Sequence, residues 1–345
     1  MGKANETAVQ RRDRVCGMFL DYWQSMPRST TSVLLAGTGL ASVYSTIKAT
    51  HRDTQWWSWL PEGDPQQHRE PPDGYFDTAI LRIPVEKDRL KLCLEILAHR
   101  LRVGATLWVF GANDEGIRSV RKLGSPFYTK SVTVSTRKHA RIEMFTRLEG
   151  TEARASLDAY AVTHTITWNE SEYQWLSFPG NFAKGRLDQG SQLLLDSLPT
   201  QSNFKRILDV GCGTGILLGF PSWRGDKHAL DRDYFAIKAT QANVPDVHLH
   251  WSHTWVDPTL HFDLIISNPP IHDGKTETYH IVENLISNAR SKLSFPGELW
   301  MVVQHRVPIK QMLGNSFGSV EVVRQDGTFK VWRIQQSKHA SRSAS

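Results

Sequence analysis

The sequence predicts an α/β protein of two tandem domains, each a mostly parallel sheet with helices on both faces. Three observations carry this reading. Apolar strands alternate with amphipathic helices along the 345 residues, the pattern that builds a helix-covered parallel sheet. The alternation lapses around Leu148 to Ala153, at Glu149-Gly150-Thr151-Glu152, and then starts again. Both halves also follow one order of features: a glycine turn, a strand ending in proline, a helix, a strand. Gly37-Thr38-Gly39 corresponds to Gly211-Cys212-Gly213, and Asp77 to Pro84 corresponds to Asp263 to Pro270. The length also suits two domains. The expected boundaries are residues 1–152, residues 153–336 and a basic tail at 337–345.

In the first half, Arg11, Arg12 and Arg14 lie on a helix that includes Phe19, Leu20, Tyr22 and Trp23. Ser32 to Gly39 is a strand turning through glycines, but no carboxylate precedes them. Trp56, Trp57 and Trp59 crowd what reads as a surface loop, continuing into the proline-rich stretch 61–73. Tyr75 to Pro84 reads as a strand, Lys87 to Arg100 as a helix, Leu101 to Gly104 as a turn and Thr106 to Phe110 as a strand. Gly111 to Val120 opens another helix, and strands follow at 131–135 and 141–146. In the second half, Ala161 to Trp168 reads as an opening strand. Phe178 to Leu195 is a glycine-rich loop running into an apolar helix. The helix after Gly215 is cut short by Pro221. The strand from His228 ends at Asp231, and a helix covers Asp233 to Asn243. Three further strands lie at Val247 to Trp251, Leu264 to Ser267 and Leu299 to Val303. A hairpin around Gln325-Asp326-Gly327 closes the fold.

Composition narrows the classes of function. The net charge of +6 would help a polyanion approach, since neutralising phosphates releases counterions, though it also serves solubility. Cys16, Cys93 and Cys212 are too scattered for a disulfide framework or a paired metal motif, which suits a reducing cytoplasm. The first residues lack the apolar core of a signal peptide, and no apolar run approaches the roughly 20 residues of a membrane span. A soluble cytoplasmic protein, off the membrane, is expected.

Two strand ends carry the chemistry. Ile207 to Gly215 is an apolar strand breaking into Gly211, Gly213 and Gly215, which let a ligand approach the backbone. A dinucleotide fingerprint would need glycine at position 216, which is Ile216. Here an acid, Asp209, stands two residues before the first glycine. It can hold the ammonium of a methionine moiety directly or through water. Asp231 can accept from two ribose hydroxyls, and Ser252 stands at the height of an adenine. Cys212 sits between two glycines as a small packing residue. The second strand, Phe262 to Ser267, ends in Asn268-Pro269-Pro270. An sp² amine is a poor nucleophile because its lone pair is delocalised. The Asn268 side-chain carbonyl and the Pro269 backbone carbonyl can both accept from it and aim that lone pair. Together the two strand ends read as a methyl-donor site beside an acceptor site, and so as an S-adenosylmethionine-dependent methyltransferase. His248, His250 and His253 lie close together, but no cysteine or acidic cluster completes a metal set, and no metal is expected.

At these residues the chain resembles the RsmC family of bacterial small-subunit rRNA (guanine-N2-)-methyltransferases and their relative RlmG. The likeness is strongest at Phe178 to Leu195, Ile207 to Gly215, Ile265 to Gly274 and Gln325 to Trp332. In the first half it is looser, at Phe76-Asp77-Thr78 and Phe110 to Val120. The resemblance implies tandem class I methyltransferase domains with seven-stranded sheets, the first degenerate and assisting folding and RNA binding. It implies cofactor contacts at Asp209, Gly211, Cys212, Gly213, Gly215, Asp231 and Ser252, and an acceptor amine at Asn268 and Pro269. Pro270, Ile271 and His272 would line the acceptor pocket. Ile271 departs from the family pattern, which has an aromatic residue that stacks on the base; Phe182 could supply that face instead. Stacking of this kind is worth about 1–3 kcal/mol per base.

The expectation is methylation of the N2 amine of a guanine in ribosomal RNA, 16S first, as naked RNA or within a subunit. Two other readings stay open: methylation of a glutamine amide in a protein, and an RNA-binding assembly factor of the same fold with weak catalysis. The sequence leaves open which guanine is modified and whether the protein is a monomer.

Overall fold

The computed structural model describes residues 7–26, 32–150, 154, 156–199, 203–270, 275–313 and 317–337. The chain divides into two compact units, Met1–Ala161 and Val162–Ser345. The segment 154–161, which the sequence pattern assigns to the second domain, thus falls with the first.

In the first unit α1 (Ala8–Gln24) begins at a capping box, in which Thr7 and Gln10 exchange side-chain-to-backbone hydrogen bonds. There follow β1 (Ser32–Ala36), α2 (Ala41–Lys48), β2 (Asp53–Trp57), β3 (Gln67–His68), β4 (Phe76–Arg82), α3 (Lys87–Arg100), β5 (Leu101–Ala112), α4 (Val120–Gly124), β6 (Val132–Arg137) and β7 (Ala140–Thr146). The sheet order is β3-β2-β1-β4-β5-β7-β6. β3, β2, β1, β4 and β5 run parallel, while β7 is antiparallel to both β5 and β6. Every residue of β1 is buried, as a strand covered on both faces requires.

The second unit starts with β8 (Val162–Trp168) and β9 (Ser171–Ser177), which pair with each other in a separate two-stranded sheet. Then come α5 (Gln189–Leu195), β10 (Arg206–Val210), α6 (Ile216–Gly219), β11 (Asp226–Asp231), α7 (Tyr234–Asn243), β12 (Val247–Trp251), β13 (Phe262–Ser267), α8 (Lys275–Lys292), β14 (Leu293–Gln304), α9 (Ile309–Leu313), β15 (Val320–Gln325) and β16 (Phe329–Gln335). The order β12-β11-β10-β13-β14-β16-β15 is the first unit's order repeated strand for strand, so the faint internal repeat is a repeat of topology. Alternate residues face opposite sides. Ile207, Leu264, Ile266, Trp300 and Val302 join one core, and Leu208, Ile265, Leu299, Met301 and Val303 the other.

Several expectations need correction. Trp56 and Trp57 are not in a surface loop: they end β2 and are fully buried, with Trp59 close to it. The polar, proline-rich neighbourhood misleads because β1 and the ring of Tyr44, 5.4 Å from Trp56, supply the apolar environment. Leu101 to Gly104 is not a turn but the start of β5, where the pairing with β4 shifts register. The helix expected from Gly111 begins only at Val120, after two short 3₁₀ turns. The opening strand at 161–168 does not enter the main sheet. Tail residues 338–345 lie outside the described residues.

The short α6 is as expected, and its shortness is compensated. Phe220, which follows it, stacks on Tyr173 at 4.1 Å and contacts Trp168 and Trp175. Gly219 lets Trp175 lie so close that a Cβ there would stand 2.3 Å from the indole. The β8–β9 hairpin therefore covers ground that a longer helix would hold. Core truncation of a buried tryptophan costs about 3–5 kcal/mol. Trp56→Ala should destabilise the chain by that amount, read as a lower denaturant midpoint, because it also removes the hydrogen bond from Nε1 to the Gly37 carbonyl at 3.1 Å.

Candidate active site

The site is built at the carboxyl ends of β10, β11 and β13, where open α/β sheets bind ligands. After β10 the chain reverses through Gly211, Gly213 and Gly215, with φ of 75°, 56° and 84°, values that side chains rarely tolerate. The turn is tied down by Gly211 N–H donating to the Leu230 carbonyl at 2.8 Å and Gly215 N–H to the Cys212 carbonyl at 2.8 Å. A Cβ at Gly211 or Gly213 would meet nothing within 4 Å, whereas one at Gly215 would strike Val244. The first two glycines thus face open space, and the third is a packing requirement.

Asp209, the last residue but one of β10, is fully buried, and neither carboxylate oxygen has a hydrogen-bond partner among the described residues. Burial, and then the charge of Asp231, push its carboxyl well above the usual range. Asp231 accepts from Gly213 N–H at 3.1 Å and Asp233 N–H at 2.8 Å. Burial still raises its pKa to about 6. Ser252 N–H donates to the Asp231 carbonyl at 3.1 Å, and its hydroxyl shares a hydrogen bond with Thr254 at 2.9 Å. Cys212 is buried in the core, with its thiol accepting from Thr240 at 3.4 Å.

The acceptor side adjoins this turn because β13 lies beside β10, with Ser267 Oγ donating to the Val210 carbonyl at 2.7 Å. The next residue, Asn268, donates from Nδ2 to Asp188 at 3.2 Å and to Ser191 Oγ at 3.0 Å. Pro269 is buried and Pro270 exposed. Phe182 begins a 3₁₀ turn with its ring 63% exposed, so no core packing accounts for it. Ile271 and His272 lie outside the described residues.

The sequence pattern misses the residues that support these. Asp188 caps α5, accepting from Gly190 N–H at 3.0 Å and Ser191 N–H at 3.3 Å. The neighbouring Gln189 donates to Asp326, at the tip of the β15–β16 hairpin, at 2.9 Å. Thr214 Oγ1 accepts from Trp175 Nε1 at 3.0 Å, and Asn243 bridges the Thr214 carbonyl and Leu176. Only the capping spacing at Asp188 was open to notice beforehand. The histidines form a stack instead: His228 Nδ1 lies 3.0 Å from His250 Nε2, with His248 alongside. Burial, then its two histidine neighbours, lower His228 to about 4. Among the described residues no group of three His, Cys, Asp or Glu could hold a metal.

Comparison with known proteins bears on the same elements. The Methyltransferase small domain family matches residues 172–333, and the Methyltransferase small domain N-terminal family residues 34–162. Ribosomal RNA small subunit methyltransferase C of Erwinia tasmaniensis is 32% identical over 280 residues, 77% of this chain and 78% of that protein. The chain belongs to the ribosomal RNA small subunit methyltransferase C family. The member from Shewanella sp. is 29% identical over 80% of each chain. A T. thermophilus 16S rRNA N2 methyltransferase (RsmC), solved with AdoMet and guanosine, superposes with a TM-score of 0.78 at 19% identity. The match covers 94% of this chain and 92% of that one. This likeness extends the shared fold across both units.

A cofactor of this family, S-adenosylmethionine, fits the site on the chain's own evidence. Asp209 offers two acceptors without a partner among the described residues, and a Cβ at Gly211 or Gly213 would meet open space. The first unit fails the same test. The position of Asp209 is taken by the buried Leu35, a Cβ at Gly37 would stand 2.9 Å from the Arg82 carbonyl, and one at Gly39 would stand 2.3 Å from the Arg12 chain. At the end of β4, Arg82 pairs with Glu115 at 2.8 Å. The degenerate unit has its strand ends filled from within.

Because the Asp209 pKa is raised on folding, its charge disfavours the folded state once pH rises above about 4, the unfolded value. Asp209→Asn should therefore raise the melting temperature of ligand-free protein at neutral pH, by roughly 2–4 °C per kcal/mol relieved. The same change should abolish cofactor binding by calorimetry. A lower melting temperature would contradict the reading of Asp209 as a binding group held at a cost to stability.

Proposed function

We propose that this protein transfers the methyl group of S-adenosylmethionine to the N2 amine of a guanine in ribosomal RNA, with the small-subunit 16S RNA as substrate. The observation that carries the proposal is the side-by-side arrangement of two strand ends. One offers a buried carboxylate without a partner among the described residues, and the other an asparagine with its amide nitrogen already engaged. Relatives named for small-subunit rRNA methylation, and one solved with guanosine, support the choice of substrate.

When bound, the cofactor supplies an electrophilic methyl on a sulfonium. Asp209 would hold its ammonium, Asp231 its ribose hydroxyls and Ser252 the adenine end. Asn268 Oδ1 and the Pro269 carbonyl would accept the two hydrogens of the guanine amine. That orients the lone pair without a strong base, so most of the acceleration comes from positioning, worth about 7–11 kcal/mol in favourable cases. Reaching the site requires the guanine to leave its stack. The exposed Phe182 would then offer a face for it, and Pro270, Ile271 and His272 a wall. RNA would be held through shape and phosphate contacts, with the first unit supporting folding and RNA binding. A cytoplasmic location follows from this substrate. Among the described residues no helix is long and apolar enough to cross a membrane.

Two outcomes test the proposal. Radiolabelled methyl should pass to one RNA species among naked rRNA and isolated subunits, and Asn268→Ala should lower that transfer by about 10²-fold or more. Absence of label in every species, with cofactor binding intact, would sink it. Cofactor affinity should also depend on pH with a defined sign. Binding needs the carboxylates of both Asp209, whose pKa burial raises well above the usual range, and Asp231, whose pKa in the free protein is about 6. The complex therefore binds fewer protons, and affinity should fall as pH drops, by up to about tenfold per pH unit for each carboxylate that is protonated in the free protein. Calorimetry from neutral to mildly acidic pH reads this directly.

A further inference from the structure

We infer that Asp188, with Ser191, is the positioning residue that orients the acceptor amide of Asn268, an inference that rests on the function proposed above. A primary amide can present either its carbonyl or its NH₂ to a substrate, and the two faces are nearly the same size. Only the carbonyl can accept from an exocyclic amine, so a freely rotating Asn268 would spend part of its time in a useless orientation. The choice is made 80 residues earlier in the chain.

The carboxylate of Asp188 can only accept, so the atom of Asn268 that faces it must be Nδ2. That nitrogen lies 3.2 Å from Asp188 Oδ1 and 3.4 Å from Oδ2, and 3.0 Å from Ser191 Oγ. Two acceptors account for its two hydrogens, which leaves Oδ1 as the group the side chain has to offer. Asp188 is itself held in place. It caps α5, accepting from Gly190 and Ser191 N–H, and Ser191 is buried. Gly190 also leaves the carboxylate its place, since a Cβ there would stand 3.2 Å from Asp188 Oδ1. The charge has a second consequence. As methyl transfer proceeds, positive charge grows on the acceptor nitrogen. A carboxylate hydrogen-bonded to the far side of the amide polarises Oδ1 to meet that charge. The nitrogen then releases its extra proton to solvent, so Asp188 need not take one.

The test is Asp188→Ser, because serine caps a helix about as well as aspartate but is too short to reach Asn268. Expected is a fall in kcat of about 10²-fold, the scale of a small misplacement at a reacting centre. KM for RNA and Kd for the cofactor should stay within about twofold, which also reports an intact fold. Ser191→Ala, which leaves the cap untouched, should lower kcat in the same sense by less. The Asn268 side-chain amide signals in a ¹⁵N spectrum, assigned by their loss in Asn268→Ala, should be protected from exchange in the parent protein and lose protection in Asp188→Ser. A helix cap alone would not move them. An unchanged kcat, or a slower enzyme whose Asn268 amide stays protected, overturns the inference. Full transfer by Asn268→Ala would instead bring down the proposed function and this inference with it. Loss in that variant with normal Asp188→Ser would bring down this inference alone.

Discussion

The site depends on how the chain turns after β10. Gly211, Gly213 and Gly215 all take left-handed backbone conformations, and beside that reversal stands a carboxylate, Asp209, that no hydrogen bond from the described residues satisfies. Asp209 is buried on every side that belongs to the protein, and its oxygens have no partner among the described residues. Burying an ionisable group in this way opposes folding. It is tolerable only because the surrounding cores are well packed, and it makes sense as an attachment point for a cationic ligand group.

Two units of identical strand order show how little of the function lies in the topology. In the second, the carboxyl ends of the central strands carry acids and open glycines. In the first, the equivalent region holds Leu35, buried tryptophans, the Arg12 chain against Gly39, and the Arg82–Glu115 pair. These groups occupy the space that the second unit leaves beside its glycines.

The supports of the functional turn come from outside the main sheet. The β8–β9 hairpin reaches Thr214 through the Trp175 hydrogen bond, and Asn243 ties the same turn to β9. Its aromatic side chains pack on Phe220, where Pro221 ends α6 after a single turn. On the other side, the start of α5 meets both Asn268 and the tip of the β15–β16 hairpin. Donor and acceptor ends are each held by segments distant in sequence, so both are set before any ligand arrives.

The strand-and-turn grammar was legible in the sequence, as was the placing of Asp209, Asp231 and Asn268 at strand ends, because each rests on residues within a few positions: an apolar run, glycines at fixed spacing, a proline stop. The repeated order of features was likewise enough to predict two sheets of one topology. Burial at Trp56 and Trp57 is not written in their neighbours, since it is decided by β1 and α2 and not by the polar residues that follow them. The grip of Asp188 on Asn268 was out of reach for the same reason, whereas the pairing of β8 with β9 is a local hairpin through Asn169 and Glu170. Sequence spacing reports the conformations a segment can adopt on its own. Which donor meets which acceptor across 80 residues, and which side of an amide is left facing a substrate, exists only once the sheet has brought the strand ends together.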